Sequence, residues 1–375
     1  MQEARYARGS ARWAQTPQSL TVRAFAAARS PDIVPAPLYE SFMSAPRYDV
    51  LGIGNAIVDV IARAEDDFLV AHGMHKGTMA LIDEARAEKI YQAMGPAVES
   101  SGGSAANTIV GVASFGAQAA FVGKVKDDEL GRTFAHDIRS ARVTFDSEPT
   151  KHGPSTARCY IMVTPDGERT MNTYLGAAQG LKPSDIDESQ IAAASILYLE
   201  GYLWDPPHAK EAFVKAATVA HKAARKVALT LSDAFCVDRY RDEFLGLIRK
   251  GTVDIVFANE HELHSLYGTA DFDTAVKALR YDAKLAVVTR SEKGCVVVSR
   301  QVLETVQAMP IERVADATGA GDLFAAGFLV GLARGKDHRT SARLGALAAA
   351  EVIQHVGARP AVSLKALAAE NGLPI

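Results

Sequence analysis

The sequence predicts an α/β fold, a doubly wound and mostly parallel sheet covered by helices, with a second, small β-sheet as a lid. Three observations predict it. Short β-branched runs alternate with segments of helical periodicity about 10 to 15 residues long, as strands joined by right-handed crossovers do. Several of those runs are apolar throughout, which suits strands covered on both faces. Two further segments alternate apolar and polar residues without a helix inside either, and such strands do not fit a parallel sheet.

Taken in order, the first strand is Tyr48 to Gly52, and Thr78 to Asp83 is the first lid segment. A strand at Ala119 to Gly123 precedes a helix at Asp127 to Arg139. The second lid segment, Ala157 to Tyr174, holds two alternating runs, Arg158 to Val163 and Arg169 to Tyr174. Pro165-Asp-Gly167 between them has the chemistry of a hairpin turn. Strands at Ile196 to Glu200, Val227 to Leu231, Val253 to Ala258 and Leu285 to Thr289 then alternate with helices at His208 to Ala224, Asp238 to Arg249 and Asp271 to Tyr281. No internal repeat or low-complexity tract interrupts the pattern.

Composition narrows the class. A chain of 375 residues with 48% hydrophobic and 23% charged residues can bury a large core. Its length sets a prior of about two domains, and the pattern resolves this into one α/β unit over 47–375 with lid strands within about 73–83 and 155–176. A net charge of −3 offers no positive field for nucleic acid or anionic lipid. No run of 18 apolar residues predicts a membrane span. Cys159, Cys236 and Cys295 are far apart, so neither a disulfide scaffold nor a cysteine zinc site is expected, and a reducing cytoplasm suits them. The histidines at 72 and 75, 261 and 264, and 338 form no convincing metal set.

Residues 4–31 stand apart, with five arginines and no Asp or Glu. That composition is the mark of an organelle transit peptide. The alternatives are a disordered tail, or sequence ahead of a true start at Met43. Pro31, Pro35, Pro37 and Pro46 make 1–46 an N-terminal extension outside the core.

Five segments carry chemistry. Asp316-Ala-Thr-Gly-Ala-Gly-Asp322 runs directly into an apolar helix. Small residues ahead of a helix leave unpaired N–H groups at its positive end, where they stabilise phosphate-like charge. Asp322 beside such an anion suits a general base for a hydroxyl attacking phosphorus; helix capping is the alternative. Ser101-Gly-Gly-Ser-Ala-Ala-Asn107 lets a ligand approach the backbone and puts an amide near it. In Gly52-Ile-Gly-Asn-Ala-Ile-Val-Asp59 the third glycine of a dinucleotide fingerprint is missing, leaving Asp59 as a carboxylate suited to sugar hydroxyls. Asn259-Glu-His-Glu262 opens a helix with hard oxygen donors for a hydrated Mg²⁺, or simply with a cap. Thr289-Arg-Ser-Glu-Lys-Gly294 adds a polar turn at a strand's carboxyl end, where α/β sheets bind ligands.

The ordered set of Asp59, Gly102-Gly103 with Asn107, Asn259 with Glu262, Thr289 and the 316–322 turn resembles the ribokinase-like (PfkB) family of carbohydrate and nucleoside kinases over residues 47–360. The resemblance implies a three-layer α/β/α domain with a β lid, ATP as donor and Mg²⁺. It places Asp322 as catalytic base and the N–H groups of Gly319, Ala320 and Gly321 as the anion hole. Asn55, Asp59, Gly102, Gly103, Asn107 and Glu200 become acceptor ligands, and Asn259, Glu262, Thr289, Gly294 and Thr318 ATP contacts, with Asn259 and Glu262 organising Mg²⁺ through water. Arg169 is placed near the phosphates and a monovalent cation (K⁺) near Asp316. The chain departs from the family pattern at Ala317, where a hydroxyl residue is usual, and at Ser291, where Gly is.

Gly54 to Asp59, Glu200 to Trp204, Leu231 to Phe235 and Val352 to Gly357 are similar to the adenosine kinase branch, with Tyr160, Met162, Tyr174, Tyr202, Trp204 and Phe235 as candidate purine walls. The resemblance thus implies phosphoryl transfer from ATP to the 5′-hydroxyl of adenosine. A ribose or other sugar kinase is the rival, and a catalytically silent ligand-binding relative the third reading. Expected partners are small molecules only, with a monomer or homodimer as the assembly.

Overall fold

The computed structural model describes residues 45–375. The expectations for the arginine-rich segment and for a start at Met43 lie outside the described residues. In chain order the strands are β1 (Tyr48–Ile53), β2 (Ile57–Arg63), β3 (Met79–Leu81), β4 (Ala97–Gly102), β5 (Ala119–Val122), β6 (Val143–Thr144) and β7 (Ala157–Val163). They continue with β8 (Arg169–Tyr174), β9 (Ala194–Glu200), β10 (Lys226–Thr230), β11 (Ile255–Asn259), β12 (Leu285–Thr289), β13 (Cys295–Val298) and β14 (Leu303–Val306).

A large sheet runs β14-β13-β12-β11-β10-β9-β1-β5-β6, parallel from β12 to β6 and antiparallel at the β13 and β14 end. Its strands are apolar on both faces because successive side chains feed two different cores. On one face Val50, Phe121, Tyr198, Phe257 and Val287 meet Ile109, Phe328 and Leu344 of the helices Ser104–Ser114, Ala320–Ala333 and His338–Val352. On the other, Leu51, Leu197, Leu229, Val256 and Val288 meet Phe213, Phe244 and Leu279 of the helices Pro207–Lys222, Ala234–Arg249 and Phe272–Asp282. Burying each such side chain contributes about 1.5–3 kcal/mol. The three-layer expectation is met.

The expected parallel strands lie within two residues of the observed ones. The helix expected from Asp238 begins at Ala234, because Asp233 accepts a hydrogen bond from Cys236 N at 2.6 Å and caps it. A non-helical Tyr240 (φ −125°) then bends the chain and blurs the periodicity.

The small sheet runs β3-β8-β7-β2-β4. The β7–β8 hairpin pairs from Arg158 with Tyr174 to Val163 with Arg169, closed by Gly167 N donating to the Thr164 carbonyl at 2.8 Å. The expectation omits β2 and β4, which complete this sheet, and the antiparallel pair β13 and β14. β2 starts three residues after β1, so the two merge in the sequence into one apolar run. β4 has one strong strand former, Val98, and much of it is exposed. The crossings between the sheets position the site: residues 54–56 carry the chain out to β2, and Gly103 brings it back from β4 into the Ser104–Ser114 helix. Among the described residues no helix is long and apolar enough to cross a membrane.

Candidate active site

A cavity of about 1220 Å³ lies between the carboxyl ends of the parallel strands and one face of the small sheet. Asn55, Glu200, Thr230, Asn259 and Thr289 reach it from the strand ends. The small sheet contributes every second residue: Ile57 and Asp59, Met79 and Leu81, Cys159 and Ile161, Met171 and Thr173. This corrects the expected purine walls. Tyr160 and Met162 are one residue out of phase with Cys159 and Ile161, so they are buried on the opposite face. Trp204 is buried in the core and donates to Glu243 at 2.9 Å, and Tyr174 lies under the Arg158 guanidinium. Tyr202 and Phe235 do line the cavity, joined by the apolar lid face.

The return from β4 holds the acceptor side chains. Gly103 has φ +98°, and a Cβ there would lie 2.2 Å from the Asn55 carbonyl oxygen, so this crossing requires glycine. A Cβ on Gly102 would lie 2.3 Å from Asp59 Oδ2. Gly102 thus packs against Asp59 and is not among the residues that line the cavity. Glu200 also differs from its expected role. Its Oε1 accepts from Asn55 N (3.2 Å) and Nδ2 (2.6 Å), and its Oε2 from Ala105 N (2.8 Å). It is spent on fixing Asn55 and the helix start, and burial pushes it up to about 7 against those hydrogen bonds. Asn55 Oδ1 and Asn107 Oδ1 are buried without a donor, and both residues line the cavity. Together with the Asp59 carboxylate they form an acceptor array suited to a polyhydroxylated ligand.

Asp322 stands in the first turn of the Ala320–Ala333 helix. Its Oδ1 accepts from Ser104 Oγ at 2.6 Å and its Oδ2 from Asn107 Nδ2 at 3.3 Å. Burial pushes Asp322 up to about 6, opposed by those hydrogen bonds and the charge of Arg359. Asp59 is pushed by burial to the same level, opposed by Arg359 and Arg169. Gly319 caps the helix at φ +80°. In this turn, which lines the cavity, Ala320 N leans back on the Ala317 carbonyl at 3.3 Å, while the N–H groups of Gly319 and Gly321 have no protein partner among the described residues.

Asp316 anchors that turn. It accepts from Thr318 N and Gly357 N, each at 2.9 Å, and pairs with the buried Arg169. Although burial raises it, the hydrogen bonds and the Arg169 charge hold it below the usual carboxylate range. The arrangement does not fit K⁺ on this carboxylate, because a guanidinium already occupies it. Nor does Arg169 reach the cavity wall; it is committed to Asp316.

Asn259 and Glu262 form a reciprocal capping box: Glu262 N donates to Asn259 Oδ1 (2.9 Å), while Asn259 N and Nδ2 donate to the Glu262 carboxylate (3.0 and 2.6 Å). Asn259 thus holds the Glu262 carboxylate, both residues line the cavity, and burial pushes Glu262 up to about 7. Asp233 lines the cavity and its charge acts on Glu262. Thr289, Thr318 and Gly294 are also in the wall. Ser291 adopts φ +50°, a conformation glycine takes more freely, which accounts for glycine as the family's residue there. Gly294 (φ +82°) packs against the Val306 carbonyl, and beyond it Ala308, Met309, Pro310, Ile311 and Val314 give a second apolar wall.

Of the expected catalytic, acceptor and ATP-contact residues, all except Gly102 and Arg169 thus line one cavity, whereas of the expected purine walls only Tyr202 and Phe235 do. Sequence reasoning missed Ser104 as a donor to Asp322, the apolar lid face, and the 308–314 wall. The lid face was legible as the odd-numbered residues of 157–161; no sequence signal marks the 308–314 loop.

Residues 79–365 match the pfkB family carbohydrate kinase. The adenosine kinase from Sinorhizobium meliloti is 55% identical, with a TM-score of 0.81 over 87% of this chain and 99% of that one. A probable sugar kinase from Rhizobium etli CFN 42 is 52% identical, with a TM-score of 0.82 over 88% and 99%. Probable fructokinase-6, chloroplastic, from Arabidopsis thaliana is 31% identical over 241 residues, 62% of each chain, so the match spans less than two thirds of that relative's length. The chain belongs to the pfkB family of carbohydrate kinases, phosphotransferases that act on an alcohol group.

Proposed function

We propose that this kinase transfers the γ-phosphoryl group of ATP to the 5′-hydroxyl of adenosine, giving AMP. One observation carries the substrate reading: the acceptor array of Asp59, Asn55 Oδ1 and Asn107 Oδ1 adjoins an apolar face of Ile57, Cys159, Ile161 and Met171. A ribose fits the array and a flat base fits the face, whereas a free sugar leaves that apolar surface uncovered. Similarity to the Sinorhizobium meliloti adenosine kinase over nearly all of that chain supports it. The Arabidopsis fructokinase similarity supports a second reading, a sugar kinase using the same array.

In the reaction, Asp322 takes the proton of the attacking hydroxyl, and the N–H groups of Gly319 and Gly321 receive the charge of the transferring phosphoryl group. Ser104 and Asn107 hold the Asp322 carboxylate toward the hydroxyl. Thr289 and Gly294 line the phosphate path, and the 308–314 loop gives the ATP base its apolar wall. Glu262, with Asn259 behind it, would hold Mg²⁺, which when bound would supply positive charge against the phosphates.

The decisive experiment is an ATP-dependent phosphorylation panel across adenosine, inosine, guanosine, cytidine, ribose and fructose. A kcat/KM preference for adenosine supports the proposal; a preference for fructose or ribose moves it to the sugar reading; no turnover with any acceptor leaves the silent relative. Asp59→Ala is expected to raise the acceptor KM by about 100-fold with kcat little changed, through loss of a charged hydrogen-bond acceptor worth about 1.5–3 kcal/mol. An unchanged KM would remove Asp59 from the acceptor site.

A further inference from the structure

Arg359 lies behind the site, and no step above uses it. It follows the His338–Val352 helix, and its guanidinium meets the back of the loop whose front bears the acceptor side chains. Nη2 donates to the Ser101 carbonyl at 2.5 Å and to Ser101 Oγ at 3.0 Å, and Nη1 to the Ala106 carbonyl at 3.2 Å. Asp137 Oδ2 accepts from the same serine's N–H (2.8 Å) and hydroxyl (2.5 Å). Two residues earlier, Gly357 N donates to Asp316, and a Cβ on Gly319 would lie 2.8 Å from Ala358 Cβ. Three consecutive residues, 357–359, therefore touch both the anion turn and the acceptor loop.

Among the described residues, no carboxylate pairs with Arg359 at ion-pair distance. Its charge is shared instead by Asp137, Asp59 and Asp322. Burial pulls it down to about 10 against those three carboxylates, so it stays a cation at working pH. The groups facing Asp322 are otherwise anionic or neutral: its charge acts on Asp59 on β2, Glu200 and Tyr198 on β9, Tyr202 beyond it, and Glu262. Arg169, the other nearby cation, is bound to Asp316.

We propose that Arg359 is a positioning residue for phosphoryl transfer, keying the acceptor loop to the anion turn and keeping Asp322 ionised among the neighbouring acids. The proposal rests on Asp322 being the base. A purely structural arginine would leave the pH profile of the surviving enzyme unchanged, so the profile separates the two roles. In Arg359→Met, the acidic limb of kcat/KM is expected to move up by about one pH unit, the size of effect an opposite charge exerts on a carboxylate. The acceptor KM rises about tenfold, from loss of the hydrogen bonds to Ser101 and Ala106. Arg359→Lys keeps the charge but not the fork, so its limb stays at the wild-type position while KM remains raised.

A wild-type limb and KM in Arg359→Met overturn the proposal. If that variant does not fold, Arg359→Gln, which keeps a hydrogen-bonding side chain without the charge, decides in its place: a limb moved up supports the proposal, and a limb at the wild-type position overturns it. The profiles are run with whichever acceptor the panel selects, so a failed adenosine assignment leaves this test intact. Asp322→Asn serves as the control, because a limb that persists in its residual activity defeats the base assignment and not the role of Arg359 in the loop.

Discussion

Asp322→Asn is expected to lower kcat by about 10³-fold while leaving acceptor affinity and fold intact. The substitution is isosteric, so Ser104 Oγ still finds an oxygen at its 2.6 Å contact. Asn107 Nδ2 loses its 3.3 Å acceptor, the longer of the two contacts, while its Oδ1 stays in the acceptor array. What is lost is the group that accepts the hydroxyl proton. In the wild type the base must be ionised, and burial sets Asp322 to about 6, so kcat/KM is expected to hold above neutral pH and fall through about pH 6. Stability runs the other way. The folded value lies above that of a free aspartate, so ionising this buried group lowers stability as pH rises from about 4 to 6. The variant escapes that cost, and its Tm at pH 7 is expected to match or exceed the wild type. Near-normal turnover would sink the base assignment; a lowered Tm with proportional loss of activity would reduce it to a folding effect.

The part of this site carried by local backbone rules was legible before any coordinates. Small residues entering a helix at 319–321, glycines returning to a helix at 102–103, and polar residues at strand ends each follow from short-range chemistry, and they converge on one cavity. The illegible part depends on partners far along the chain. Glu200 has the residue type of a sugar ligand, yet its oxygens are claimed by Asn55 and by Ala105, 145 and 95 residues away. Arg169 has the type of a phosphate ligand, yet Asp316, 147 residues away, takes it. Arg359 sits in an unremarkable loop whose importance arises from packing against residues over 250 positions earlier. The aromatic walls failed for a simpler reason: in a strand, residue type says nothing of phase. Tyr160 and Met162 face away from the cavity only because Cys159 and Ile161 face into it.

Gly319→Ala is expected to lower kcat by about 10²- to 10³-fold, the cost of misaligning an oxyanion donor, and to lower Tm as well. Two independent effects act at this position. The residue holds φ +80°, where a side chain costs about 1–2 kcal/mol. Its new Cβ would also lie 2.8 Å from Ala358 Cβ and 2.9 Å from Ala358 Cα, so backbone has to move. The backbone that moves is the 357–359 segment, which bonds Asp316 through Gly357 N and the acceptor loop through Arg359. A displacement there turns the N–H groups of the turn away from the phosphoryl group and loosens the loop facing Asp322. Gly321→Ala is the matched control. Nothing lies within 4 Å of its Cβ, and its φ is not in the positive region, so the fold is not strained. Its methyl enters the space assigned to phosphate, so Tm is expected to stay at the wild-type value while the KM for ATP rises. Equal Tm and equal kinetics in both variants would show that the turn does not hold phosphate. A loss of Tm in Gly319→Ala without a loss of kcat would leave the turn as a helix cap alone.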